Sequence, residues 1–140
     1  MSDKAFFDTN VLVYAFDKSE QEKSAISKNL IHNFGGDGNL VLSTQVLQEL
    51  YVTLTRVGKA LLTQEEAGEI VNDFAEFPLI QVDKDIISRA MKRHQSKAFS
   101  FWDAMIVEAA LASGCSQLLS EDMQDGLVIG SLVIRNPFSG

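Results

Sequence analysis

The chain has 140 residues, an apolar fraction of 46% and a formal net charge of −7. This length and composition predict one globular domain over residues 1–140. They exclude a disordered chain and a membrane helix, since no apolar run reaches the roughly 18 residues that span a bilayer. Cys115 is the only cysteine, so a disulfide framework is excluded, and we expect a reduced, cytoplasmic setting with no signal peptide.

The first half of the chain alternates short apolar runs with longer stretches of helical periodicity. Residues Ala5–Phe7 are predicted as a strand that leads into a helix over 9–17, and a more polar helix follows over 19–34. A second strand over 40–42 leads into a helix over 45–58, whose apolar residues share one face. Strands that alternate with helices are typical of crossover connections in a parallel sheet.

The second half of the chain continues this alternation. Thr63-x-x-Glu66 is a capping box that predicts the start of a helix. Helices are predicted over 63–77, 83–96 and 101–113, and strands over 79–82 and 117–119, with a fifth strand within 127–129 and 132–134. The nearly all-apolar helix over 101–113 is expected to be buried on most sides and to be capped by Gly114. The order of elements predicts a three-layer α/β/α fold with a mainly parallel central sheet of about five strands.

Acidic residues recur at equivalent places relative to these elements. Asp8 directly follows the first strand, Glu49 lies in the helix after the second strand, and Asp103 lies at the start of the apolar helix. Asp122 follows the fourth strand, with Asp125 just beyond it. Because ligands bind beyond the carboxyl ends of parallel strands, we expect these acids to meet around one cleft.

Carboxylates packed together cannot all stay ionised, because their mutual repulsion raises their pKa values. A hard divalent cation removes this conflict, and Mg²⁺ and Mn²⁺ prefer oxygen ligands from carboxylates, waters and substrate phosphates. Such a cation lowers the pKa of a bound water and neutralises charge on a phosphodiester under attack. The acids therefore predict metal-assisted phosphoryl hydrolysis. The chain has no Gly-x-x-x-x-Gly-Lys loop, so hydrolysis of nucleoside triphosphates gains no support.

Each acid also has an ordinary structural interpretation. Asp8 could cap the following helix, and Asp103 could belong to a capping box. Glu49 could be solvated and paired with a lysine or arginine, while Asp122 and Asp125 could be turn residues. The prediction of a site therefore depends on the joint placement of these residues, because each one alone is a weak signal.

Several other side chains are interpreted as structural. Cys115, Trp102 and the methionines are predicted to lie in the core. Glu108 lies within the apolar helix, where we expect a buried partner or an interface rather than a catalytic role.

The chain resembles the PIN-domain ribonucleases and, among them, the VapC toxins of bacterial toxin–antitoxin pairs. The segments that carry the resemblance are FFDTNVLVYAFD, LSTQVLQEL, FWDAMIVEAALASGC, LLSEDMQDG and the tail LVIRNPF. Together they extend over essentially the whole chain. No single segment is diagnostic, whereas their order and spacing together are highly specific.

The resemblance implies a metal-dependent endoribonuclease with a Mg²⁺ or Mn²⁺ site. The acids that correspond to the family's by position are Asp8, Glu49, Asp103 and Asp122. Asp8 and Asp103 would be the leading metal ligands, and Asp125 is an additional candidate. Asn10 and Ser120 would hydrogen-bond an acid or the attacking water. The resemblance also implies an RNA substrate, a homodimer, and a cognate antitoxin that inserts a segment near the acidic cleft.

A basic segment is a candidate for the RNA-binding surface. Arg89, Arg93 and Lys97 are spaced by four residues and would share a helix face that leads towards Asp103. Arg56 and Lys59 are a second candidate. A solvated helix face accounts for the same spacing, and the net charge of −7 argues against a broad phosphate-binding surface.

Two other functions fit part of the pattern. Haloacid-dehalogenase-type phosphatases carry an Asp after the first strand, a Ser or Thr after the second and a late acidic pair, which Asp8, Ser43 and Glu121-Asp122-x-x-Asp125 imitate. They normally require a second Asp where this chain has Asn10, and this interpretation leaves two of the acids without a role. The other alternative is a PIN-like module that only binds, although a scaffold has no reason to keep repelling charges together.

Overall fold

The structure is a computed structural model and describes residues 3–139, which form six strands and six α-helices. The strands are β1 (Ala5–Phe7), β2 (Leu40–Ser43), β3 (Leu79–Ile80), β4 (Gln117–Leu119), β5 (Val128–Ile129) and β6 (Leu132–Arg135). The helices are α1 (Thr9–Val13), α2 (Gln21–Gly36), α3 (Thr44–Leu54), α4 (Gln64–Phe74), α5 (Lys84–Gln95) and α6 (Phe101–Ala112). A 3-10 helix over Tyr14–Phe16 continues α1.

The strands form one sheet in the order β3-β2-β1-β4-β6-β5. All pairs are parallel except β5 and β6, which are antiparallel. The predicted mainly parallel α/β fold is confirmed. The prediction that residues 127–134 hold a single fifth strand was wrong. Gly130, with φ of 59°, lies in a turn that folds this segment into a hairpin of two strands. The sheet therefore has six strands rather than five.

The central strand of the sheet anchors the core. Ala5, Phe6 and Phe7 of β1 are fully buried between β2 and β4. Burying a side chain the size of Phe stabilises a fold by roughly 1.5–3 kcal/mol. Helix α6 is buried over 104–110, as its apolar composition predicted. The strand that ends in Asp8 is therefore held firmly at the centre of the molecule.

Helix ends follow their local sequence signals. The predicted capping box at the start of α4 is present, since Thr63 Oγ1 accepts from the Glu66 N–H and Glu66 Oε1 accepts from the Thr63 N–H. Gly114 ends α6 with φ of 71°, as predicted. Helix α3 ends at Leu54, earlier than predicted, because the Leu54 carbonyl accepts from two N–H groups of the following loop.

The predicted core holds only in part. Cys115, Met105 and Met123 are buried, whereas Trp102 is 61% exposed and Met91 is 46% exposed. Trp102 lies in the first turn of α6, outside the buried stretch over 104–110, and the buried side chains of α5 do not include Met91. Met1 lies outside the described residues. None of the helices within residues 3–139 is long and apolar enough to cross a membrane.

Glu108 has the buried partner that the sequence led us to expect. Its carboxylate forms an ion pair and a hydrogen bond with Arg93 Nε of α5, and α5 packs against α6 along its length. The interaction offsets the cost of burying a charge within an apolar helix. Because Arg93 is paired with Glu108, it is not an unpaired cation on α5.

Candidate active site

A cleft of about 620 Å³ opens at the edge of the sheet where β1 and β4 end. All four predicted acids line it, namely Asp8, Glu49, Asp103 and Asp122. The other lining residues are Thr9, Asn10, Val13, Tyr14, Asp17, Gln48, Val52, Thr53 and Arg56. The carboxyl ends of the strands thus bring together residues that are more than a hundred positions apart in sequence.

Asp8 is the most buried of the acids, with 7% of its surface exposed. Its Oδ1 accepts from the Thr9 N–H at 2.8 Å, and its Oδ2 accepts from Ser120 Oγ at 2.8 Å. The pKa of Asp8 is raised to about 6, chiefly by burial and to a smaller extent by the charges of Glu49 and Asp103. The hydrogen bonds from Ser120 and Thr9 oppose that rise.

Asn10 connects the ends of β1 and β4. Its Nδ2 donates to Asp122 Oδ2 at 3.0 Å and, more weakly, to Asp8 Oδ2 at 3.4 Å. Its Oδ1 accepts from the Glu121 N–H at 3.2 Å. Asn10 and Ser120 therefore hydrogen-bond the acids, in the supporting positions that the sequence predicted for them.

Glu49 is held by two residues that sequence reasoning did not single out. Thr9 Oγ1 donates to Glu49 Oε1 at 2.7 Å, and Gln45 Nε2 donates to Glu49 Oε2 at 3.3 Å. Gln45 Nε2 also donates to the Trp102 carbonyl at 3.2 Å, which links α3 to the first turn of α6. The signal that could have identified Gln45 is its position four residues before Glu49 on one helix. Within residues 3–139, the buried Gln45 Oε1 has no hydrogen-bond partner.

Asp103 is brought to the cleft by the start of α6. Ser100 caps this helix, since its Oγ accepts from the Asp103 N–H at 3.1 Å. Burial raises the pKa of the Asp103 carboxyl, Ser100 opposes that rise, and the charges of Asp122 and Glu49 add to it. The carboxylates of the cleft therefore repel one another across the gap between α3, α6 and the end of β4.

The structure does not bring every predicted residue to the cleft. Asp125 accepts from the Asn136 N–H at 2.9 Å and from Ser139 Oγ at 3.4 Å, and it does not line the cleft. Arg89, Arg93 and Lys97 do not form one helix face. Helix α5 ends at Gln95, Lys97 adopts φ of 67°, and Arg93 is paired with Glu108.

A second layer of contacts supports the rim of the cleft at Glu121, which precedes Asp122. Tyr14 Oη donates to Glu121 Oε1 at 2.5 Å, and Lys23 Nζ lies 2.7 Å from Glu121 Oε2. Lys23 Nζ also lies over the Tyr14 ring, which meets the Phe138 ring edge-on at 4.9 Å between centroids. The 3-10 helix and α2 thus fix the residue next to Asp122, and Phe138 of the tail packs against the tyrosine that they use.

The donor atoms of the cleft suit a hard cation. The acids offer oxygen ligands only. Burial is the main cause of the raised pKa values of Asp8 and Asp103, and the charges of neighbouring carboxylates add to it. Among residues 3–139, no group of three or more His, Cys, Asp or Glu side chains is arranged to hold a metal ion. The fit is therefore one of donor chemistry, since carboxylate oxygens suit a hard cation that keeps several waters and binds few carboxylates.

Comparisons with known proteins agree with this architecture. No curated protein matches the chain. A toxin–antitoxin complex from Klebsiella pneumoniae has a TM-score of 0.69 at 20% identity, covering 96% of this chain and 98% of that one. DNA-bound VapBC from Salmonella typhimurium has a TM-score of 0.68 at 15% identity, covering 98% and 99%. Mycobacterium tuberculosis VapC20, a toxin that cleaves the sarcin–ricin loop, has a TM-score of 0.62 at 17% identity, covering 88% and 91%.

At identities of 20% or less, these structural matches show that the fold is shared and nothing more. The family assignment comes from the sequence itself, since the model of the PIN domain matches residues 5–124 and so includes β1, α3, α6 and the end of β4. The resemblance to PIN-domain proteins that the sequence segments indicated is therefore confirmed, and the chain belongs to the PIN domain family.

Proposed function

We propose that this protein is a metal-dependent endoribonuclease and the toxin of a toxin–antitoxin pair. The observation that carries the proposal is the meeting of Asp8, Glu49, Asp103 and Asp122 in one cleft of a PIN-family chain. The structural neighbours support the toxin role, because they include VapBC toxin–antitoxin complexes and a toxin that cleaves the sarcin–ricin loop.

Asp8 and Asp103 would be the leading ligands of a Mg²⁺ or Mn²⁺ ion, and Glu49 and Asp122 would join them directly or through waters. When bound, the ion would supply positive charge beside the phosphodiester and lower the pKa of a nearby water. Ser120 and Asn10 fix the Asp8 carboxylate, and Asn10 also holds Asp122 in place.

The reaction that we propose is hydrolysis at phosphorus. A carboxylate of the cleft accepts a proton from the attacking water, the water oxygen bonds to phosphorus, the bond to the 3′ oxygen breaks, and the leaving oxygen takes a proton from solvent water. Thr9 and Gln45 hold both oxygens of Glu49, so this carboxylate keeps a fixed orientation towards the cleft. The products would carry 5′-phosphate and 3′-hydroxyl ends.

The test is cleavage of structured RNAs with manganese or with a chelator. Asp8→Asn and Asp103→Asn are expected to lower cleavage by at least about hundredfold, because each removes a carboxylate that takes part in the chemistry. Far-ultraviolet circular dichroism should show both variants folded. Asp85→Asn, an exposed acid in the first turn of α5, is the matched control and should cleave normally. Undiminished cleavage by both cleft variants would refute the site.

The proposed partners are RNA, a cognate antitoxin and a second copy of the chain, in the cytoplasm. An antitoxin would bring a basic side chain to the carboxylates in place of the cation. Exposed apolar side chains on α3 and α5 support contact with a protein partner, namely Tyr51, Val52, Ile87 and Met91. Co-purification of a small protein encoded beside this chain, with loss of cleavage in the complex, would support the toxin role.

The alternatives fare differently in the structure. Ser43, which a haloacid-dehalogenase-type phosphatase would need near Asp8, is fully buried, and its Oγ caps α3 by accepting from the Val46 N–H. A PIN-like module that only binds is favoured by one observation, since no three carboxylates within residues 3–139 are arranged around one ion. Manganese titration followed by calorimetry distinguishes this module from the proposed nuclease. A module that only binds should take up no metal at millimolar concentration.

A further inference from the structure

We propose that single-stranded RNA lies along one face of α3, with Arg56 binding a phosphate that neighbours the scissile one. The nucleoside between the two phosphates would lie against the middle of the cleft. This inference rests on the proposed function, since it places the scissile phosphate at the acidic end.

The charge distribution of the cleft supports this placement. Asp8, Glu49, Asp103 and Asp122 gather at one end, and Arg56 is the only lysine or arginine among the lining residues. Arg56 is exposed, and the ion pairs found within residues 3–139 do not include it. A cation without a carboxylate partner, in a cleft that is otherwise acidic, is available to an anionic ligand.

The spacing along α3 gives the strand its direction. The lining positions on this side of the cleft are Gln48, Glu49, Val52, Thr53 and Arg56. Gln48, Glu49, Val52 and Thr53 recur at intervals of three or four residues, so they occupy one face of α3. The rise of a helix puts the end of α3 at Leu54 on the order of 7 Å beyond Glu49, and Arg56 follows this end while still lining the cleft. This placement suits a phosphate that neighbours the scissile one.

The middle of the cleft suits a sugar and a base. Val13, Tyr14 and Val52 offer apolar and aromatic surface, while Gln48 and Thr53 offer hydrogen-bonding groups. The Tyr14 hydroxyl is engaged by Glu121, so the ring is held in position. The fifth acid of the cleft is Asp17, whose Oδ1 accepts from the N–H and the hydroxyl of Ser19.

A single strand fits this arrangement better than a duplex. One cation in the cleft can contact one phosphate of one strand, whereas a duplex would present two rows of phosphates to a cleft that is otherwise acidic. Contact between a base and the apolar middle of the cleft also requires that the base be unpaired.

The binding test measures fluorescence anisotropy of a short labelled single-stranded RNA on the Asp8→Asn background, which should not cut. Adding Arg56→Ala is expected to weaken binding by about tenfold, the loss of one charge-assisted hydrogen bond. The slope of log K against log salt should flatten by about 0.7, the contribution of one phosphate contact to a single strand. Arg56→Lys should keep that slope. Lys28→Ala, which removes an exposed positive charge from α2, is the control and should change neither quantity.

The cleavage test assigns the phosphate. A neutral methylphosphonate placed next to the cut should raise KM for the wild-type protein and leave kcat unchanged. The same substrate change should have no effect on Arg56→Ala, because the contact has already been lost. The RNA strand hybridised to its complement should bind more weakly than the free strand.

The outcomes separate this inference from the proposed function. Normal RNA cleavage with an unchanged salt slope in Arg56→Ala overturns the Arg56 site and leaves the nuclease in place. Arg56-dependent RNA binding without manganese-dependent cleavage supports the RNA site and refutes the nuclease. Loss of binding in Arg89→Ala but not in Arg56→Ala would place the RNA on α5 and overturn this inference.

Discussion

At the scale of single residues, Asp8 shows that capping a helix and taking part in a site are compatible. Its Oδ1 caps α1 through the Thr9 N–H, and its Oδ2 is turned towards Ser120 and Asn10. The two interpretations that the sequence left open therefore describe two oxygens of one carboxylate. The cost is burial of a carboxyl group beside other acids, which raises its pKa.

Because folding raises the pKa of Asp8, we expect the stability of the metal-free protein to depend on pH. The pKa of Asp8 rises from 3.8 to about 6 on folding, so the folded state holds this proton more tightly than the unfolded state. The free energy of unfolding should therefore fall as the pH rises from about 4 through about 6, by about 3 kcal/mol from this group. Asp8→Asn, which does not titrate, should lack this loss and be the more stable protein at pH 7.

Urea unfolding in the presence of a chelator, at several pH values, measures this difference. Asp85→Asn should follow the pH dependence of the wild-type protein. Parallel pH curves for Asp8→Asn and the wild-type protein would show that the carboxyl group is not destabilised by folding. Added manganese should stabilise the wild-type protein near neutral pH and have little effect on Asp8→Asn.

At the scale of elements, the packing of α5 against α6 includes one buried ion pair beside apolar contacts. Glu108 is 5% exposed and is partnered by Arg93 from the other helix. Arg93→Ala is expected to lower the free energy of unfolding by about 3 kcal/mol, because it leaves a charge buried without a partner. Arg89→Ala, an exposed arginine one turn earlier on α5, should change stability by no more than about 0.5 kcal/mol. Urea denaturation with both variants makes the comparison.

A double variant distinguishes the loss of the pair from a general weakening of α5. Arg93→Met combined with Glu108→Leu removes both charges and should recover most of the stability, since a buried pair often contributes little beyond apolar packing. Equal losses in Arg93→Ala and Arg89→Ala would show that Glu108 is not effectively buried.

The elements also show how far the sequence could predict the site. Asp8, Glu49, Asp103 and Asp122 could be assigned to one cleft, because strand ends in a parallel sheet share an edge. Their meeting is confirmed, whereas their catalytic roles stay predictions. Gln45 could have been linked to Glu49 by its spacing on α3, whereas its contact with the Trp102 carbonyl could not be predicted, because it depends on how α3 and α6 pack.

Periodicity was a poorer guide at the ends of helices. The predicted face of Arg89, Arg93 and Lys97 assumed one continuous helix, whereas the chain turns to positive φ at Lys97. Which segment contributes a cation to the cleft depends on tertiary packing. In the structure that cation is Arg56, just after α3, and no arginine or lysine of α5 is among the described lining residues. The exposure of Trp102 likewise depends on which turn of α6 is covered by neighbours. The single domain over 1–140 stays a prediction.

At the scale of the whole molecule, a net charge of −7 opposes RNA binding at long range, and one cation lines the described cleft. Cleavage should therefore depend weakly on salt. We expect log kcat/KM to fall with log salt by a slope no steeper than about −1, since about 0.7 comes from each phosphate contact to a single strand. Initial rates over a range of sodium chloride concentrations measure the slope. A much steeper dependence would require a broad basic surface outside the cleft.

The ring contact between Phe138 and Tyr14 bears on how this protein should be handled. Tyr14 lines the cleft, so a purification tag fused soon after Phe138 would begin beside a side chain that packs against the cleft wall. Such a tag would interfere with cutting or with capture of a partner. Strand β1 begins at Ala5 and runs towards the cleft, so a histidine tag placed ahead of this strand starts from its opposite end.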